Sequence, residues 1–219
     1  MGSVTRSDTP AEPPEPTPHP LASALAAALG TTDGWRVLLL GIGTGRNVPP
    51  LLAAGARVDA VEDDPERARA ALTRFAGERR VRIARAGYGG PYPFAGSFDG
   101  ALSTHALLHG TPQHVTAALT AVLNRLAPQA PFFLTLGSKR DPRFGTGRPA
   151  GPDTFIADDG SEAGVSHCYF DAAGARALLG SFAVDSLEER SATESAGTWA
   201  HTADEAATLV HWFARVRRP

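Results

Sequence analysis

The sequence predicts an α/β fold, a mostly parallel sheet covered by helices on both faces. Three observations carry this. Apolar residues over 37–40 run directly into glycines at every second position. Strand-like and helix-like stretches then alternate down the chain, the arrangement of parallel sheets with crossover helices. Two further strand-like stretches follow the last helix.

The central stretch is Val37, Leu38, Leu39 and Leu40, followed by Gly41, Ile42, Gly43, Thr44 and Gly45. It reads as a buried strand entering a tight turn. Pro49 and Pro50 then open an apolar run that stops at Gly55. Proline is tolerated in a helix's first turn and glycine is common just past its end, so this run reads as a short helix. Strand, glycine turn and helix N-terminus together let backbone approach a ligand closely, and free N–H groups there favour an anion. A second strand over 56–61 leads to Glu62, about 20 residues past the first glycine, where nucleotide-binding units place a carboxylate against ribose hydroxyls.

In the dinucleotide fingerprint the sixth position is Gly or Ala, to leave room for a pyrophosphate. Here it is Arg46, which disfavours NAD and FAD. The run of three glycines, with Arg46 and Asn47 after it, resembles the first motif of class I S-adenosylmethionine-dependent methyltransferases, in particular the small-molecule and tellurite-resistance-type branch. That resemblance implies a Rossmann-like sandwich, a seven-stranded sheet whose last strand is antiparallel. It implies S-adenosyl-L-methionine as cofactor. Gly41, Ile42, Gly43, Gly45, Arg46 and Asn47 would then surround its amino-acid part, and Glu62 with Asp63 its ribose. Ala86, Gly87 and Tyr88 would take the adenine, with Thr104 and His105 near the transferred methyl. Two positions depart from the family: Leu39 replaces a frequent acid in the first strand, and no acid follows the third.

The remaining elements follow in order. Residues 1–20 are rich in Pro, Glu, Thr and Ser and read as a disordered tail; 21–219 read as one domain. A helix is expected over 21–29, with Leu21, Leu25 and Leu29 on one face and a stop at Gly30. Asp64 and Pro65 start the next helix as cap and first residue. Strands are expected over 81–86, 98–105 and 130–136. Between the last two lies a helix over 117–126, introduced by Thr111 and Pro112. From 137 to 166 the chain is rich in Gly, Pro and Asp, and reads as an irregular loop on the acceptor side. Beyond it come 164–170, a helix capped by Asp171, and strands over 182–187 and 207–216.

Composition excludes several classes. With 219 residues, a net charge of −2 and an ordinary apolar share of 42%, nothing marks a nucleic-acid or membrane-surface binder. No apolar run is long enough to span a bilayer, and the N-terminus lacks the pattern of a signal peptide. Cys168 is the single cysteine, so no intramolecular disulfide forms and a reducing cytoplasm fits. The acceptor is expected to be a small molecule.

Methyl transfer from a sulfonium is an in-line displacement on an activated carbon, so the protein's work is positioning and exclusion of water. A base is needed only if the acceptor loses a proton. The candidates are His105 and His109, which at helical spacing would share a face, and His167 and Tyr169, which two apart on a strand would point the same way. Each has a plainer reading, as a hydrogen-bonding or half-buried packing residue. A zinc site from His105, His109 and His114 matches no trusted spacing, and no metal is expected. Arg140, Arg143 and Arg148 either fork onto an acidic acceptor or solvate the loop. Cys168 reads as buried and inert, Trp212 and Phe213 as core. The alternative function is a non-catalytic cofactor-binding or regulatory protein on the same scaffold.

Overall fold

The computed structural model describes residues 17–31, 33–191 and 209–219. The expected tail therefore lies almost wholly outside the described residues. Its end does not: His19 is fully buried and accepts a hydrogen bond from the Leu21 N–H, capping α1 (Pro20–Leu29).

Three parallel strands form one half of the sheet: β1 (Arg36–Leu40), β2 (Arg57–Glu62) and β3 (Val81–Arg85). On the other side of β1 lie β4 (Gly100–Ser103) and then β5 (Pro131–Ser138), also parallel. β1 is buried at all four of its apolar positions because it is central, with neighbours on both edges and helices on both faces. Leu39 is one of these, paired with Ala60 and Leu102; an unpaired acid would be costly there. The helices between strands are α2 (Val48–Ala53), α3 (Pro65–Arg74) and α4 (Pro112–Leu123). Asp64 caps α3 by accepting from the Glu66 and Arg67 N–H groups.

α4 begins at Pro112, five residues earlier than apolar spacing suggests, because Thr111 and His114 form a reciprocal capping box. Apolar periodicity marks only the buried face and misses the polar first turn.

The C-terminal half departs from a simple seven-strand sheet. β9 (Ala183–Ser191) and β10 (Val210–Arg217) are antiparallel, and β10 pairs antiparallel along β5, closing the sheet as expected. The part of the last strand expected before residue 209 lies outside the described residues. The stretch expected to be irregular instead holds β6 (Arg148–Gly151) and β7 (Thr154–Ile156), which with the following β8 (Ser166–Phe170) make a three-stranded extension. It joins the main sheet where β8 meets the last two residues of β5, giving ten strands among the described residues. The short strands around Gly147 and Gly151 carry too few alternating apolar residues to signal themselves. After β8, Asp171 caps α5 (Ala172–Leu178).

Two apolar cores lie on the two faces of the sheet, one around Leu38, Phe98, Phe132 and Trp212, the other around Leu25, Leu39, Leu51 and Phe213. Trp212 donates its indole N–H to the Phe170 carbonyl. Cys168 is buried, and burial pushes its thiol up to about 12, so it stays protonated and unreactive. No described helix is long and apolar enough to cross a membrane.

Candidate active site

The carboxyl ends of β1, β2 and β4 meet at the glycine turn. Gly43 turns in the left-handed region (φ 51°) with nothing within 4 Å of where a Cβ would stand. Its N–H donates to Glu62 Oε2 at 2.9 Å. The Glu62 carboxylate therefore points into the turn, and burial raises its pKa. The hydroxyl of Tyr88 stands against the same group, 3.2 Å from Glu62 Oε1, 3.0 Å from Asp63 Oδ1, and 3.3 Å from a Cβ built on Gly41. Burial and these two carboxylates push the phenol far up, so it keeps its proton and donates.

Other residues expected at the cofactor are engaged with one another. Asn47 accepts from the His19 N–H and donates to Thr104 Oγ1 at 2.7 Å, which ties the N-terminal segment to the end of β4. Ile42 is core, and the Ala86 N–H donates to the Glu62 carbonyl. Gly87 accepts from the Gly90 N–H. Arg46 is half-buried, and burial lowers its guanidinium to about 10. It faces His105 Nδ1 at 3.2 Å, and no carboxylate of the described residues pairs with it.

His105 and His109 do not share a helix face. His105 sits in the left-handed region (φ 64°), and a 3₁₀ turn over Ala106–Leu108 separates the two. The reversal sends them to different neighbours. His105 packs between His19, ring centroids 5.4 Å apart, and His211 at 5.1 Å. His109 faces Glu162 and His167. His114 stays at the head of α4, so the three histidines weighed for zinc do not gather.

A second group forms beyond β5. Arg143 grips Asp141 through two nitrogens, donates to Glu162 Oε2 at 3.3 Å and to His211 Nε2 at 3.2 Å. Asp141, fully buried at its side chain, also accepts from the Val210 N–H. Arg143, Glu162, His167 and Tyr169 line a cavity of about 320 Å³ with Phe155 and Leu209 as apolar walls. His167 and Tyr169 thus do share one side of β8. Of the other arginines, Arg140 pairs with Glu189, and Arg148 lies on an exposed strand. Sequence reasoning missed His19, Asp141, Glu162 and His211. His19 is hidden in a Pro-rich tail and Glu162 in a Gly-rich stretch; no local pattern marks either.

Contacts run from the turn to the cavity through Arg46, His105, His211 and Arg143. A buried carboxylate at the end of β2, a glycine turn open at its middle position and a half-buried cation suit an adenosine bearing an amino acid. Over residues 37–129 the sequence matches the family model described as a methyltransferase domain. This stretch is similar to a methyltransferase domain. Its fold is that of the class I enzymes, whose cofactor is S-adenosylmethionine. A search of curated proteins gives no match.

The chain is similar in fold to an S-adenosylmethionine-dependent methyltransferase from Methanosarcina mazei, with 16% identity, TM-score 0.71, and coverage of 92% of this chain and 98% of that one. It also resembles 1,6-didemethyltoxoflavin-N1-methyltransferase of Burkholderia thailandensis, solved with 1,6-didemethyltoxoflavin and S-adenosylhomocysteine (23% identity, TM-score 0.62, 90% and 76% covered). A third similar structure is the [4+2]-cyclase SpnF (19% identity, TM-score 0.58, 90% and 80% covered). The scaffold therefore hosts more than one chemistry.

Proposed function

We propose that this methyltransferase transfers the methyl group of S-adenosylmethionine to a small organic acceptor held in the cavity between β7, β8 and the start of β10. When bound, the cofactor supplies a methyl on a positively charged sulfur. The single observation behind the acceptor's place is the short path of contacts from Arg46 at the glycine turn to Arg143 at the cavity wall.

The roles follow from the side chains. Gly43 gives space beside the turn, Glu62 accepts from the sugar hydroxyls, and Arg46 meets the cofactor's carboxylate. Tyr88 must swing its hydroxyl off Glu62 to admit the sugar; its ring then covers the adenine, where Ala86 and Gly87 supply backbone. Phe155 and Tyr169 form an apolar floor that holds a small ring and keeps water out. His109, Glu162 and His167 gather where the acceptor's reacting group would lie, while His105 spaces the two halves of the site. A cavity of this size suits a compact molecule.

The test is turnover with S-adenosylmethionine and a panel of small amines, alcohols and thiols, read as formation of S-adenosylhomocysteine by mass spectrometry. Phe155→Trp, which fills the cavity, should abolish turnover of any acceptor found and leave S-adenosylhomocysteine binding intact. Unchanged turnover in that variant would move the acceptor elsewhere.

A further inference from the structure

We propose that His109, Glu162 and His167 are the ligands of one divalent cation of the zinc class, with a further coordination position open to the acceptor cavity. His109 Nε2 lies 3.3 Å from Glu162 Oε1, and His167 Nε2 lies 3.0 Å from Glu162 Oε2. The two imidazoles are perpendicular, centroids 4.9 Å apart. Their donor atoms and the carboxylate all lie within 4.8 Å of one another, and no other such group of three occurs among the described residues. Zinc bonds of about 2.0–2.1 Å in a tetrahedron put neighbouring ligand atoms about 3.3 Å apart, close to the spacing found.

Hydrogen bonding alone would give similar distances, so the directions decide. His167 Nε2 is buried and makes no hydrogen bond, although a carboxylate oxygen is 3.0 Å away. His109 Nε2 meets Glu162 Oε1 as a hydrogen bond at 3.3 Å, so it is His167, close to the carboxylate and unsatisfied, that leaves a place for a shared third atom.

The surroundings hold the trio in place. His109 and His167 form a backbone bridge, and the Gly110 N–H donates to the Ser166 carbonyl at 2.8 Å. Arg143 donates to Glu162 Oε2, an outer contact of the kind that orients a ligating carboxylate. Two imidazoles and one carboxylate suit zinc, cobalt or nickel better than magnesium or calcium, which prefer oxygen throughout. Three protein ligands with one position free is the form of a catalytic zinc site. An acceptor hydroxyl or thiol bound in that position would lose its proton to solvent more readily. This deepens the acceptor reading and rests on it for the ion's role, though not for the ion's binding.

The test uses the full chain, stripped with EDTA and titrated with zinc chloride against a chromophoric chelator, with neither cofactor nor acceptor present. One zinc per chain is expected. His109→Ala and His167→Ala should each weaken it by at least about 100-fold, since losing even an outer partner costs about 10–100-fold; His114→Ala should not. Cobalt loading of the unmutated chain should give the visible spectrum of a four- or five-coordinate nitrogen–oxygen site. Should the alanine variants misfold by circular dichroism, Glu162→Gln serves instead and should weaken zinc at least about 10-fold. Absence of stoichiometric zinc, or affinity unchanged in these variants, overturns the proposal. Because S-adenosylhomocysteine binding and turnover are read separately, failure here is distinguishable from failure of the methyl-transfer reading.

Discussion

The phenol of Tyr88 donates to Glu62, 3.2 Å from the carboxylate that the sugar of the cofactor is expected to take. On the proposed reading the phenol competes with the sugar for this carboxylate, so cofactor binding includes the cost of breaking the Tyr88 contact. A hydrogen bond of this kind is worth about 0.5–1.5 kcal/mol net. Tyr88→Phe should therefore bind S-adenosylhomocysteine about 2- to 10-fold more tightly, while Glu62→Ala should bind it more weakly by about 1–3 kcal/mol. Isothermal titration of the two variants checks both. Weaker binding by the phenylalanine variant would mean that the hydroxyl itself holds cofactor.

Arg46 supplies a second prediction, separable from the first. Its guanidinium is half-buried and faces an imidazole nitrogen in place of a carboxylate. Replacing it with Met should weaken S-adenosylhomocysteine by about 1.5–3 kcal/mol, the range for hydrogen bonds to charged groups. 5′-Methylthioadenosine, which lacks the amino acid, should bind the variant and the parent alike. Equal losses for both ligands would place Arg46 at the nucleoside or in the fold.

How much of this was legible in the sequence depends on how local each signal is. The strand, glycine turn, helix and Glu62 lie within one short continuous stretch, and each obeys a local rule, so this half of the proposed site could be read directly. The acceptor half could not. Asp141 and His211 meet across β5 and β10, and His19 reaches His105 only after α1 packs on the sheet. Such contacts depend on tertiary placement, which one sequence does not encode at any fixed spacing. The helical face assigned to His105 and His109 failed for a related reason: a single left-handed residue reverses the chain, and histidine gives no glycine-like warning of it.

His19 and His211 set the response to acid. Burial holds His19 well below its ordinary 6.5, with Arg46 and His211 adding to the effect. Burial also lowers His211 to about 4, against the opposing pull of Asp141 and with Arg143 pushing the same way. For each, the unfolded imidazole takes a proton near its ordinary value while the folded one does not. The unfolded chain thus binds more protons between about pH 4 and 6.5, and stability rises with pH across that window. It is fully present above 6.5 and is lost on acidification. Urea midpoints should fall steadily from pH 7 to pH 5, and His211→Gln should flatten that slope. A parent midpoint independent of pH over this range contradicts the assignment.

The two later glycines of the turn separate folding from binding. At Gly45 (φ +82°) a Cβ would stand 2.4 Å from the ring of Phe75, and the ring is held there by α3 and Arg74. Gly45→Ala therefore combines backbone strain with overpacking and should cost about 2–4 kcal/mol, seen as a lower denaturation midpoint. Gly43 faces open space at a φ that an alanine can adopt for about 1–2 kcal/mol. Its methyl would enter the open space at the turn, so Gly43→Ala should stay folded and, with the cofactor lying there, lose most of its affinity for S-adenosylhomocysteine. The order of damage is the point: Gly45→Ala injures stability first, Gly43→Ala injures binding first. If Gly43→Ala keeps its cofactor affinity, the cofactor does not lie along this turn.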